Sequence, residues 1–177
     1  MNKKILSFLS ILLIAILATS PVSAGPGIRL SSVQFSLGSL IARGYVSGIG
    51  NTNVTMVLDA SGNADIICTN PGSGDVPGQS SPKVSAIGTQ DLSGSQAKTK
   101  NGKVLFDRVE TVDPTTVAWD VAGCPNAGWT AHILTIYWTD ALLSVKETST
   151  GQVLASQQYT CNPDLQTETT VSCFPTN

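Results

Sequence analysis

Charge and imidazole are scarce in this chain. Only 12% of its 177 residues are charged, a single histidine (His132) is present, and ten basic residues face twelve acidic ones. With so few cations and no basic stripe, the sequence offers nothing to neutralise phosphates, which excludes a nucleic-acid partner. A Ser-His-Asp hydrolase would have to use His132 to take the serine proton, and no G-x-S-x-G elbow exposes a serine for it. No stretch carries a helical period of apolar residues, and aromatics make up 6% of the chain. A long apolar run is also missing, except at the start.

There, Lys3 and Lys4 precede a mostly apolar run from Ile5 to Leu17, and a short polar stretch ends in Val22-Ser23-Ala24. Basic head, apolar middle and small residues before a cut are the parts of a secretory signal peptide. The run is too short for the roughly 20 residues a membrane-spanning helix needs. The expectation is a leader over residues 1–24, cleaved after Ala24, and one exported domain over residues 25–177. Lys3 and Lys4 leave with the leader, so the exported part is more acidic than the whole chain's net charge of −2. No second apolar run or lipid-attachment cysteine follows, which places the protein outside the cell, free of a membrane span.

Outside the cytoplasm disulfides are permitted. Cys68, Cys124, Cys161 and Cys173 form an even set, and their spacing lacks the close pairs of a zinc site. Three pairings exist. Cys161–Cys173 is favoured because these two bracket a short polar segment, and Cys68–Cys124 follows by elimination.

The rest of the chain alternates with period two between turn clusters. Strands are expected at Ser32–Leu37, Leu40–Ser47, Val54–Asp59, Ala64–Thr69, Lys83–Gly88, Val104–Phe106, Thr115–Trp119, Trp129–Thr139, Leu142–Thr148 and Val153–Thr160. Ala60-Ser61-Gly62-Asn63 reads as the turn of the clearest hairpin, and residues 70–82 as a long Pro/Gly/Ser loop. Eight to ten short strands predict an all-β, single antiparallel β-sandwich stapled by disulfides. The architecture is immunoglobulin-like, but Trp119 lies next to Cys124 instead of soon after Cys68. Residue 122, two before Cys124, is Ala where a true immunoglobulin domain has Tyr.

Several residues invite a functional reading. Asp59, Ser61, Asn63 and Asp65 alternate oxygen donors around Gly62, faintly like a calcium loop, but no bidentate Glu follows; no metal or cofactor is expected. Asn53-Val54-Thr55 matches a glycosylation sequon. Trp119, Trp129, Tyr137 and Trp138 are the candidate binding aromatics. Tyr137 and Trp138 are adjacent on a strand, so they point to opposite faces. No catalytic residues are assigned.

Gly44-Tyr45-Val46-Ser47-Gly48-Ile49-Gly50-Asn51, Cys68-Thr69-Asn70-Pro71-Gly72, Pro77-Gly78-Gln79, Gly123-Cys124-Pro125-Asn126 and Trp129-Thr130 together carry a resemblance. Over roughly residues 38 to 146 the chain resembles a group of small, uncharacterised bacterial secreted β-domain proteins with C-T-N-P-G and G-C-P-N motifs. The resemblance implies a bacterial exported β domain and supplies no catalytic residues. The resulting expectation is a non-enzymatic extracellular or cell-surface binding or adhesion module, with carbohydrate or a surface protein as partner. A small secreted hydrolase and a purely structural envelope protein are the alternatives. Alkylation before and after reduction tests the compartment argument: reduction should expose all four cysteines, and none should label without it.

Overall fold

The computed structural model describes residues 27–37, 39–93, 102–167 and 169–176. The leader expected over residues 1–24 lies outside them. Ten strands follow in chain order: β1 Arg29–Ser36, β2 Ile41–Ser47, β3 Val54–Thr69, β4 Asp75–Pro77, β5 Lys83–Leu92, β6 Lys103–Val112, β7 Thr116–Val117, β8 Thr130–Glu147, β9 Val153–Asn162 and β10 Ser172–Pro175. All pairings are antiparallel, in the order β1-β2-β6-β5-β3-β8-β9-β10, with β4 added to β3 and β7 to β8. Among the described residues no helix is long and apolar enough to cross a membrane.

The all-β, disulfide-stapled class stands. Its architecture is a single continuous sheet that curls barrel-like, without parting into two clear layers. Ser36 of β1 bridges to Thr170 just before β10, and the Leu37 amide donates to Thr169 O at 3.2 Å, so the first strand meets the last. Long strands that bend at bulges carry the wall around the corners.

β3 corrects the expected hairpin. Residues 60–63 do not turn; the strand runs unbroken for 16 residues. Period two decides the matter: Val54, Met56, Leu58, Ala60, Gly62, Ala64, Ile66 and Cys68 all point inward and are buried. A turn there would have broken that buried face. β8 likewise merges two expected strands into one of 18 residues.

The small inward residues have a purpose. At a bulge in its ladder with β3, β8 comes so close that a Cβ on Gly62 would lie 2.4 Å from Tyr137 O and 2.9 Å from Trp138 Cα. Ser61 pairs with Asp140 and Gly62 with Trp138, which leaves Thr139 as the extra residue of a bulge. Trp138, the bulkiest of the fully buried side chains, lies at this bulge. At the opposite seam β5 and β6 pair only through Ile87–Val112 and Gly88–Thr111. A Cβ on Gly88 would lie 2.0 Å from Glu110 O, so glycine is what lets that seam close.

Both disulfides take the expected pairing. Cys68–Cys124 closes a separation of 56 residues and ties the end of β3 to the loop before β8. Cys161–Cys173 joins directly opposed residues of β9 and β10 across a separation of 12. In the chain-entropy picture they restrict the unfolded chain by about 4 and about 3 kcal/mol respectively. Residues 70–82, expected as loop, also contain β4, which pairs with Ile67, Cys68 and Thr69.

Gly62→Ala has no room to relax, because backbone stands in the way of the new methyl group. It should cost about 1–3 kcal/mol, read as a lower urea midpoint with unchanged slope; an unchanged midpoint would contradict the close approach of the two strands.

Candidate ligand-binding cleft

On one side β8 pairs with β3 along its whole length. On the other it pairs with β7 only at Ala131 and His132, and with β9 only from Asp140 onward. Between these, among the described residues, no strand covers Leu134–Thr139 on that side. β7 is two residues long, and Asp113-Pro114 ahead of it breaks the ladder, since proline has no N–H to give.

A side chain stands in for the missing strand. Gln166 follows the short 3-10 turn Pro163–Leu165. Its Nε2 donates to Ile136 O at 2.6 Å and its Oε1 accepts from the Trp138 amide at 3.2 Å. The amide thus satisfies one donor and one acceptor of β8, as a neighbouring peptide would. Beside it opens a cleft of about 630 Å³, bordered by Leu37, Asp113, Thr115, Thr135, Tyr137 and Gln166 among others.

Asp113 is placed by a buried threonine. The Thr111 amide donates to Leu40 O at 3.0 Å, and Thr111 Oγ1 accepts from the Leu40 amide at 3.0 Å. The same hydroxyl donates to Asp113 Oδ1 at 2.5 Å. Partial burial pushes the Asp113 carboxyl above the ordinary carboxylate range. The Thr111 hydrogen bond pulls the other way, and the charge of Glu110 pushes it up again.

Tyr137 forms part of the cleft wall, half-buried and in register with Asn63 on β3. The negative charge of Asp65 and a hydrogen bond to that carboxylate hold the phenol above its usual range. Trp138 corrects one expectation. It points inward and is 1% exposed, so of the adjacent pair only Tyr137 reaches the surface. Trp119 and Trp129 lie elsewhere, at the loop tied by Cys68–Cys124. There Trp119 is 37% exposed and its carbonyl accepts from the Cys124 amide, while Trp129 packs against the core. The four candidate aromatics therefore divide between two places.

His132 is exposed on β8, in register with Ile67 of β3 and Thr116 of β7, neither of which supplies a carboxylate. Asp59, Ser61, Asn63 and Asp65 lie at alternate positions of the extended β3 and do not converge as loop ligands would. Among the described residues no cluster of three His, Cys, Asp or Glu could hold a metal ion. The C-T-N-P-G and G-C-P-N turns form as expected: Asn70 Oδ1 accepts from the amides of Gly72 and Gly74, and Asn126 Oδ1 from Gly128.

Thr111, Asp113 and Gln166 were missed in the sequence. Asp113-Pro114 did signal a strand end, but nothing local marks Gln166, whose partners are 28 and 30 residues away. Comparison with protein-family models, curated proteins and solved structures finds no match to this chain.

The raised Asp113 carboxyl gives a sign to the pH dependence of stability. The folded protein keeps this proton to higher pH than the unfolded chain, so the group's contribution falls as pH rises through its titration and is lowest once ionised. Asp113→Asn should flatten that part of a urea-midpoint series from acid to neutral pH. An unchanged profile would show that Asp113 titrates as it does in the unfolded chain.

Proposed function

We propose that this chain is an exported binding module that takes a neutral carbohydrate in the β8 cleft, without chemistry on it. One observation carries the reading: on the edge of β8 away from β3, strand pairing lapses over Leu134–Thr139, and side chains replace it. What gathers there is a carboxyl group (Asp113), an amide (Gln166), the hydroxyls of Ser39, Thr115 and Thr135, and the Tyr137 ring. Such a mix offers donors and acceptors to sugar hydroxyls and an apolar face to a sugar ring. A volume of about 630 Å³ lies within the usual range for small-molecule sites.

Export rests on the leader anatomy and agrees with the two disulfides. Binding is favoured over hydrolysis because Asp113 is the one carboxyl group among the described residues bordering the cleft. Paired-carboxylate hydrolysis requires two. His132, with Ile67 and Thr116 beside it, does not supply an alternative base with its orienting acid.

A glycan array with the exported protein tests the reading. Neutral glycans should bind, and Tyr137→Ala should weaken them by about tenfold or more, or about 1.4 kcal/mol, through loss of the ring contact. A silent array, or binding indifferent to Tyr137→Ala, would contradict it.

A further inference from the structure

A second cavity lies where the two ends of the sheet meet. Among the described residues, β1 pairs with the C-terminal segment only at the Ser36–Thr170 bridge, flanked by the bond from the Leu37 amide to Thr169 O. From there back to Arg29 no ladder closes the wall, and a bulge between Ser31 and Gln34 bends β1. A cavity of about 520 Å³ remains, walled by side chains in place of a ladder.

Leu30, Val33 and Ala155 give this cavity an apolar floor. Of the polar residues bordering it, Arg29, Ser32 and Ser156 are exposed and belong to its rim. The Gln157 side-chain amide is already engaged, donating to Gln158 O at 3.0 Å and to Thr176 O at 2.9 Å. Tyr159 is different. It is 5% exposed, and its ring meets Phe35 of β1 edge-to-face with centroids 5.0 Å apart. Among the described residues nothing shares a hydrogen bond with its hydroxyl, since burial is the sole influence on it. Nor is that oxygen sealed in: Ser31 Oγ is the one side-chain oxygen enclosed without a partner among the described residues. The Tyr159 hydroxyl therefore opens into the cavity that its residue borders.

Burial pushes the Tyr159 phenol up to about 12, so it keeps its proton and remains a donor at physiological pH. The same desolvation disfavours an anion placed beside it. What fits is an uncharged acceptor on an apolar body. We propose that this cavity binds a small, uncharged, largely apolar molecule whose carbonyl oxygen accepts a hydrogen bond from the Tyr159 hydroxyl. The body of that molecule covers Leu30, Val33 and Ala155, and its carbonyl satisfies the donor that the fold leaves open. A volume of about 520 Å³ suits such a ligand. The site shares no bordering residue with the β8 cleft and stands whatever that cleft takes.

Three probes of similar size test this: acetophenone carries a carbonyl, ethylbenzene no acceptor, and benzoate a charge. In NMR titrations of the exported protein, acetophenone should bind and shift resonances of Leu30, Val33, Ala155 and Tyr159. Benzoate should bind more weakly. Tyr159→Phe keeps the ring against Phe35 and removes only the hydroxyl. It should weaken acetophenone by about tenfold while leaving ethylbenzene within about twofold of its wild-type affinity. If that variant fails to fold, the Cζ resonance of Tyr159 in the unaltered protein carries the comparison. It should move further with acetophenone than with ethylbenzene, because only the ketone accepts from the hydroxyl. No binding of acetophenone, an equal loss for both ligands, benzoate binding as tight as acetophenone, or shifts confined to the β8 cleft would overturn the proposal. So would a Cζ resonance that responds alike to acetophenone and ethylbenzene.

Discussion

The close approach of the paired strands β3 and β8 at Gly62 is the constraint on which the molecule depends. These strands pair from Val54–Glu147 to Thr69–Thr130 and form the spine of the sheet. Their approach at Gly62 requires a residue without a side chain, and the bulge at Thr139 turns Trp138 inward. A fully buried tryptophan at the bulge excludes water from the middle of the wall and anchors both long strands by the burial of a large apolar surface. The same bulge directs Tyr137 outward, toward Asp65. Thus one backbone contact sets both the centre of the core and one wall of the cleft.

Much of this was legible because period two is a local signal and burial in a sheet follows it. The alternation of β2, β5 and β9, the turns around Asn70 and Asn126, and the Cys161–Cys173 pairing could be read from neighbouring residues, and Cys68–Cys124 followed by elimination. Ala60-Ser61-Gly62-Asn63 shows where such reading fails. Its composition is that of a turn, yet its spacing keeps an unbroken inward face, and Gly62 serves the close approach of the paired strand instead of a chain reversal. Composition pointed one way and periodicity the other, and burial followed periodicity.

The candidate cleft was far less legible. Its polar groups come from β6–β7, β8 and the turn after β9, so no window of sequence contains them. Gln166 replaces a strand at a distance, and Thr111 places Asp113 through a pairing with Leu40, 71 residues away. Only the topology brings these residues together. Strand length is the cause of the cleft: β8 has 18 residues beside a β7 of two. Where a short strand stops beside a long one, an edge is left for side chains or guests to complete.

Native-state amide hydrogen exchange tests the central role of the β3–β8 pair most directly. Amides of β3 and β8 around Gly62 and Trp138 should exchange only through global unfolding, whereas those of β1 and β10 should open locally at lower free energy. Exchange near Gly62 as fast as that in β10 would contradict the account.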